Sequence, residues 1–588
     1  MFLSNYICFL TIKLYDMNKL IHFILFITPL IAYSQNQLMI PPTLSGTNID
    51  LTLQTGTHQF YSGTNTNTYG ANGNILAPTL LLNQGDFVNF TVNNTLSDTT
   101  TIHWHGLHVA PQNDGGPHTY IEPNTTWSPS FTIMDKAATY WYHPHLHKKT
   151  NEHVSKGIAG LLIVRDAEEM ALNLPRDYGV DDFPLVLQTK DFDANKQIVV
   201  HSNNDETQMV NATINPYLEV PSQVVRFRVL NGSSMRVFNL GLSNGASFYQ
   251  IASDGGLLST PFSTTRVMLA PGERAELLID FSGMNGQTVD LNSFASELPN
   301  GMYGAATPGM MSMLSLNGYN PNPLNGTDFK LLQFNIGTQT ASPVTSIPTS
   351  LVTVTPIPEV NAVKTRSFVM QPAQMGPNQL NGNFLINGAS MDMSVINETV
   401  YLNDTEIWEI RNQSGISHPF HIHDVQFYIL DRNGVAPPIN EQGRKDVVFV
   451  KPQETVRFIS VFEDFANDEI PYMYHCHLLT HEDEGMMGQF LVIDTTKGDG
   501  DPDAILELNE DDVRVFPNPS SNNLINLNIS ENFNVNNIQV FNTIGEEIIQ
   551  YKSNEIQNQM KIKINQKGIY FLILKSNNKY FSKKILIK

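Results

Sequence analysis

In the segment His475-Cys-His-Leu-Leu-Thr-His481-Glu-Asp-Glu-Gly-Met486, a single cysteine stands between two histidines. Side chains two residues apart on a strand point to the same face, so the two histidines share one face and Cys476 points to the other. His481 follows the cysteine by five residues and Met486 follows it by ten. One short segment can therefore serve two metal sites on opposite faces, joined through its own backbone.

Cys476 has no cysteine partner in the mature chain, because the second cysteine, Cys8, lies in a predicted export signal. A thiolate, two imidazoles and a weak axial thioether describe a blue-copper centre. The predicted ligands are therefore Cys476, His418, His481 and, in the axial position, Met486. Zinc is the competing metal, but structural zinc sites usually need more than one cysteine and rarely use methionine.

Eight further histidines occur in four His-x-His units, each of which presents two imidazoles on one face of a strand. A single unit is weak evidence, because polar residues on an exposed strand face produce the same pattern. Four such units indicate a metal-binding site. Eight imidazoles without a carboxylate can hold three copper ions and leave coordination positions open for a small ligand. The units are His103-Trp-His105, His143-Pro-His145, His421-Ile-His423 and His475-Cys-His477.

These segments together resemble the multicopper oxidases. The resemblance extends over roughly residues 40–495 and is closest to the bacterial copper efflux oxidases, spore-coat laccases and bilirubin oxidases, which carry the methionine axial ligand. It implies an all-β fold of three cupredoxin-like Greek-key β-sandwich domains, with a trinuclear copper cluster between the first and the third. The motifs that carry it are His103-Trp-His-Gly106, Trp141-Tyr-His-Pro-His-Leu146, His418-Pro-Phe-His-Ile-His423 and the segment from His475 to Met486.

The resemblance also implies a role for each of these histidines and for two acids. Four copper ions are expected: one type 1, one type 2 and two type 3. Asp114 and Glu482 are expected to deliver protons, because the reduction of oxygen to water consumes them. The implied cluster ligands are His103 and His421 for the type 2 copper, His105, His143 and His477 for one type 3 copper, and His145, His423 and His475 for the other.

Composition favours short strands joined by turns and excludes several classes of protein. The chain has 588 residues, of which 15% are charged, against roughly 25% in an average soluble chain. The 38 glycines and 33 prolines are spread along it, and strand-like runs such as Phe87-Val-Asn-Phe-Thr-Val92 recur between them. The net charge of −21 repels phosphate backbones, so nucleic acid is not an expected partner.

Six segments are predicted along the chain. An apolar run after Lys19 indicates an export signal, whose true start could be Met17, and the run is too short for a membrane span. An acidic linker precedes a final segment of different composition. The predicted ranges are 1–34 for the signal, 35–166, 167–340 and 341–495 for the three cupredoxin domains, 496–512 for the linker and 513–588 for the final domain.

The final segment resembles the C-terminal sorting domain of type IX secretion substrates. Val515-Phe-Pro-Asn-Pro-Ser520 and Gly568-Ile-Tyr-Phe-Leu572 carry the resemblance. It implies a small β-sandwich, recognition by the secretion machinery, and export through the periplasm to the cell surface or the medium. A partner- or carbohydrate-binding sandwich of similar size is the alternative.

The predicted function is a secreted multicopper oxidase that takes single electrons from a donor and passes them to oxygen. The donor is expected to be a phenolic, laccase-type molecule or cuprous ion. A copper-binding electron carrier and a copper nitrite reductase are the alternatives. A carrier needs only the four type 1 ligands, and a nitrite reductase does not need four His-x-His units, so the eight cluster histidines argue against both.

A group of methionines bears on the donor, since thioethers suit cuprous ion but also fill irregular loops. Its members are Met302, Met310, Met311, Met313, Met391 and Met393. The residues just before His418 include neither the aspartate nor the methionine that copper efflux oxidases use to capture cuprous ion. His147 and His153 lie outside the ligand scheme and are predicted to be surface groups.

Overall fold

The computed structural model describes residues 35–495 and 513–588, except for 203, 308, 310–321, 375–382, 531–534, 536, 544, 553–554 and 577–578. The predicted signal, the acidic linker and Met310, Met311 and Met313 lie outside the described residues. Strands account for 50% of the residues and helices for 6%, and the predicted all-β class is confirmed. No helix in this part of the chain has the length and apolar character needed to cross a bilayer.

The first sandwich packs two sheets around a core that includes Phe90, Trp104 and Tyr142. The strand Phe87–Asn94 shows why it forms: Val88, Phe90 and Val92 are buried and alternate with more exposed residues, which is the period of a half-buried strand. The first sheet runs, in spatial order, Thr43–Ser45, Thr79–Asn83, Gly160–Arg165, Ala138–His143 and His103–His105. The second runs Thr64–Ala71, Asn48–Tyr61, Phe87–Asn94 and Thr126–Trp127, with Ser130–Thr132 also paired to Phe87–Asn94.

The second sandwich encloses a core with Phe227, Phe238 and Phe334. Its first strand, Asn36–Gln37, pairs in parallel with Pro216–Pro221, although the sequence-based range assigns these residues to the first domain. One sheet runs Asn36–Gln37, Pro216–Pro221, Phe329–Gly337, Thr288–Ser293, Phe238–Leu242 and Val267–Leu269. The other runs Thr213–Ile214, Thr207–Val210, Asp182–Lys190, Val224–Asn231, Arg274–Asp280, Phe248–Ser253 and Gly256–Thr264.

The third sandwich packs Trp408, Phe420 and Tyr474 in its core, together with Cys476 and Met486. One sheet runs Phe384–Ile386, Lys364–Pro372, Thr405–Asn412, Thr455–Val461 and Tyr428–Arg432. The other runs Glu398–Tyr401, Met487–Ile493, Asn467–Cys476, His418–Ile422 and Val447–Val450. In the described part of the chain, the short α-helices are Pro111–Asp114, Thr150–Lys156, Ala167–Met170 and Leu479–Asp483, and single 3₁₀ turns span Ala295–Glu297, Glu359–Asn361 and Ile439–Glu441.

The final segment forms a small separate sandwich with its own core, which includes Ile538, Leu572 and Ile585. One sheet runs Val513–Phe516, Leu524–Ile529 and Gln559–Lys563. The other runs Glu547–Lys552, Asn537–Asn542, Gly568–Ser576 and Lys579–Ile587.

Buried ion pairs join the second sandwich to its neighbours. Arg228 forks onto Asp182 and also donates to Thr139 Oγ1 of the first sandwich, at 3.0 Å. Lys445 of the third sandwich lies 2.8 Å from Asp254 and 3.2 Å from Glu273, both of the second. Because a buried charge without a partner is costly, these pairs hold the three sandwiches in a defined arrangement.

Candidate metal centres

Strand register brings the His-x-His units together. In the first sandwich His143 lies directly opposite His103, and in the third His421 lies opposite His475. The side chains of these pairs face the junction between the two sandwiches, where the rings of His103 and His423 stack with centroids 3.8 Å apart. All eight histidines of the units are buried.

The eight histidines form three groups whose ligand atoms lie within 4.8 Å of one another. His145 Nε2 lies 3.1 Å from His475 Nε2 and 3.2 Å from His423 Nε2. Such short distances between ring nitrogens leave room for one positive ion among them. The groups are His103, His421 and His423; His105, His143 and His477; and His145, His423 and His475.

The outer nitrogens of these rings are held by hydrogen bonds that orient the inner ones. His103 Nδ1 donates to the carbonyl oxygen of Asp114 at 3.0 Å, and His421 Nδ1 donates to that of Asp446 at 2.7 Å. The Nε2 atoms of both rings, and both ring nitrogens of His477, are buried without a hydrogen-bond partner. Buried polar atoms are rarely left unpaired, so these orphaned nitrogens fit metal ligation.

The protonation state of the buried histidines also favours metal binding. Burial lowers the pKa of His145 and His477 to about 3, so both rings are neutral near neutral pH and offer a free lone pair. Neutral imidazole is the form that binds metal.

A fourth group lies in the third sandwich and contains Cys476, His418 and His481. The Cys476 Sγ lies 3.4 Å from His418 Nδ1 and 3.8 Å from His481 Nδ1. Burial raises the pKa of the Cys476 thiol, so a bound metal has to displace its proton. Met486 is fully buried in the same core and its carbonyl accepts a hydrogen bond from the Cys476 amide at 3.0 Å.

The two predicted acids contact the cluster histidines. Asp114 Oδ2 accepts from His423 Nδ1 at 2.9 Å, and its Oδ1 lies 3.3 Å from His103 Nδ1. The Glu482 carboxyl lies 3.3 Å from His475 Nδ1 and 3.5 Å from His145 Nδ1. Burial raises the pKa of Glu482 well above its ordinary value, with a further contribution from neighbouring Asp483, so this group can hold a proton near neutral pH.

Two residues differ from the sequence-based picture. His153 was predicted to be a surface group, and this is wrong: it is fully buried and its Nδ1 lies 3.0 Å from Thr100 Oγ1. Asp446 was not predicted at all, yet its Oδ1 lies 3.0 Å from His105 Nε2. The signal that could have revealed Asp446 is its position, a charged residue directly before the buried strand Val447–Val450.

The geometry defines a class of protein: an all-β copper enzyme with a cysteine-containing centre beside a histidine cluster. Comparison of the sequence with models of known protein families agrees with this class. Models described as multicopper oxidase match residues 52–169 and 355–496, and a model described as a secretion system C-terminal sorting domain matches residues 514–588.

Known proteins align with most of the chain. The multicopper oxidase mco of Staphylococcus haemolyticus is 35% identical over 462 residues, which is 76% of this chain and 88% of that protein. The cell division protein FtsP of Photorhabdus laumondii is 31% identical over 476 residues, or 79% and 94% of the two chains. The solved structure of the laccase-like multicopper oxidase CueO from Ochrobactrum sp. is 32% identical, with a TM-score of 0.68, and the match covers 78% of this chain and all of that one. The chain belongs to the multicopper oxidases and is an oxidase that uses copper, with a type IX sorting tail.

The axial position at the cysteine centre yields a prediction. We expect Met486→Leu to keep its visible colour while its reduction potential rises, because a thioether is a weak axial ligand that tunes the potential more than it retains the metal. Redox titration of the visible band measures this change. Met487→Leu, one residue along, is the control and should leave the potential unchanged; loss of the colour in Met486→Leu would contradict the axial assignment.

Proposed function

We propose that the chain is an exported multicopper oxidase that oxidises a small reducing donor one electron at a time and reduces oxygen to water. The donor is a phenolic molecule or cuprous ion. Four bound copper ions would supply the redox chemistry, in which four one-electron oxidations of the donor, with four protons, balance the reduction of one O₂ to two waters. The type 1 ligands are Cys476, His418, His481 and Met486, and the eight histidines of the His-x-His units hold the cluster.

The observation that carries this proposal is the sharing of one backbone segment by three metal groups. Cys476 belongs to the type 1 group, His475 to one cluster group and His477 to another. The path from the thiolate sulfur to either imidazole therefore runs through covalent bonds and a single peptide unit. An electron carrier has no use for such a connection, so its presence favours an oxidase.

A cavity next to the type 1 group supports the assignment of a donor site. Tyr303 Oη lies 3.5 Å from His481 Nε2, and Cys476 Sγ lies 3.8 Å from the other ring nitrogen, Nδ1. Tyr303 and Thr480 line a small cavity of about 40 Å³, together with Met235, Lys190 and Arg236. His481 does not line this cavity, so a donor bound at its mouth would reach the type 1 group through Tyr303. Oxygen uptake with a phenol, bilirubin, a synthetic dye and cuprous ion distinguishes the donor classes.

The two acids have a defined task in this scheme. Glu482 lies against His145 and His475, and Asp114 lies against His103 and His423, so the cluster has one carboxyl group on each of two sides. Because its pKa is raised, Glu482 would hold a proton beside His145 and His475 and could donate it during the reduction of oxygen.

Export follows from the final domain. The type IX sorting tail supports delivery through the periplasm to the surface or the medium, where oxygen and reducing donors are both accessible.

The cysteine gives the most direct test of the type 1 assignment. We expect Cys476→Ser to be colourless and inactive as an oxidase, because Cys476 supplies the only thiolate of the described residues and of the mature chain. The visible spectrum and oxygen uptake measure both effects. A Cys476→Ser protein that keeps the visible band would refute the assignment.

The cluster can be tested separately from the type 1 site. We expect His421→Ala to keep the visible band and to be reduced by the donor at a normal rate, because His421 belongs to no type 1 group. Its reoxidation by oxygen should slow by orders of magnitude, as measured by stopped-flow absorbance. Reoxidation at the unaltered rate would contradict the cluster and would favour an electron carrier.

Proton delivery gives a third test. We expect Glu482→Gln to keep its copper but to turn over about 10²- to 10⁴-fold more slowly, the typical loss for a positioned acid–base group. The matched control is Glu484→Gln, two residues along, because Glu484 is exposed whereas Glu482 is buried against His145 and His475. Steady-state oxygen uptake and metal analysis measure the two quantities. Equal rates in the two variants would rule out this role for Glu482.

A further inference from the structure

Asp446 lies at the point where the three sandwiches meet. It directly precedes the strand Val447–Val450 of the third sandwich, and its side chain is fully buried. It contacts His105 of the first sandwich and Arg274 of the second. Its backbone carbonyl also accepts the hydrogen bond from His421 Nδ1. Asp446 therefore contacts two histidines of the cluster, at His105 Nε2 and at His421 Nδ1.

The hydrogen bond to His105 determines which ring nitrogen faces the metal. Asp446 Oδ1 lies 3.0 Å from His105 Nε2, and a carboxylate can only accept, so the N–H is on Nε2. The lone pair is then on His105 Nδ1, which lies 3.4 Å from His143 Nε2 in the group with His477. The tautomer and the ring orientation of His105 both depend on this carboxylate.

Arg274 fixes the carboxylate in turn. Its Nη1 donates to Asp446 Oδ1 at 2.6 Å and its Nη2 to Asp446 Oδ2 at 2.5 Å. The other three N–H groups donate to the carbonyl oxygens of Thr139, Gly272 and Asp254. All five donors of the guanidinium are used, so neither Arg274 nor the carboxylate that it forks onto can rotate freely.

Two glycines leave the space that this arrangement needs. A Cβ atom on Gly106 would lie 2.4 Å from Asp446 Oδ2 and 2.9 Å from Arg274 Nη2. A Cβ atom on Gly272 would lie 2.9 Å from the Cγ of His477. The glycine that ends the His103-Trp-His-Gly106 motif thus makes room for the ion pair, and a loop of the second sandwich packs directly on a cluster histidine.

We propose that Asp446, held by Arg274, is a positioning residue that keeps His105 in the Nε2–H tautomer and directs Nδ1 to the copper of its group. The second sandwich, to which no copper ligand is assigned, acts on the cluster through Arg274 and Gly272. This inference rests on the proposed cluster. Asp446 also lies within ligand distance of His105 and His421, but Arg274 and His105 already occupy its oxygens, which argues against direct ligation.

The test is the copper affinity of Asp446→Asn. The amide has one accepting oxygen where the carboxylate has two. Its NH₂ group must therefore face either Arg274 Nη2 or both Arg274 Nη1 and His105 Nε2, and in each case the hold on the Nε2–H tautomer of His105 weakens. We expect one copper to be held about 10- to 100-fold more weakly, as is typical when a residue behind a metal ligand is changed. Copper per chain is measured against increasing chelator, with the visible band as a check that the type 1 copper is retained.

The control is Asp182→Asn, which breaks a buried carboxylate–arginine pair with Arg228 at a distance from any proposed ligand. It should lower the unfolding temperature without loosening copper. If Asp446→Asn behaves in the same way, with copper held as tightly as in the unaltered chain, the positioning role is refuted.

A second variant covers the case in which Asp446→Asn does not fold. Lysine in Arg274→Lys keeps the charge but cannot fork onto two oxygens, so the carboxylate gains freedom and copper should again be released at lower chelator concentrations. Unchanged or tighter copper binding would overturn the proposal, and tighter binding would indicate that Asp446 is itself a ligand. If the unaltered chain binds no copper at the cluster, the proposed function itself is refuted, and the inference about Asp446 is refuted with it.

Discussion

Alternation of side chains along His475-Cys476-His477 is the constraint on which the rest of the site depends. Cys476 points into the core of the third sandwich, while its two neighbours point to the junction with the first. The fold must therefore supply a buried pocket with two further histidines behind this segment and six histidines in front of it. Two cupredoxin sandwiches facing each other meet both requirements, because each contributes paired strands whose histidines lie in register.

Burial gives this arrangement its chemistry. Removing the imidazoles from water keeps them neutral and leaves several ring nitrogens without a hydrogen-bond partner, an arrangement that fits metal ligation. The same burial raises the pKa of Glu482, so a proton is available where a charged carboxylate would otherwise be expected. The proposed metal binding, the raised pKa of Glu482 and the packing of the first sandwich on the third thus depend on one buried junction.

Much of the site could be predicted from sequence because its signals are local. The spacing in His-x-His fixes which side chains share a face, and the single cysteine between two histidines indicates the link between the centres. The supporting residues are different in kind. Asp446 and Arg274 are 172 residues apart in sequence, and each is an ordinary charged residue until folding brings them together behind His105. His153 shows the same limit: Lys148 and Lys149 suggest a surface, but helix Thr150–Lys156 turns its histidine inward onto Thr100. The pairing of Asn36–Gln37 with the second sandwich likewise has no local signature.

The central claim is that four groups of buried side chains are copper sites within one chain. Crystals of the copper-loaded protein, with diffraction recorded on both sides of the copper absorption edge, test it most directly. The account predicts four anomalous peaks: one among Cys476, His418 and His481, and three among the eight histidines at the junction of the first and third sandwiches. A single peak beside Cys476, with none at the junction, would contradict it.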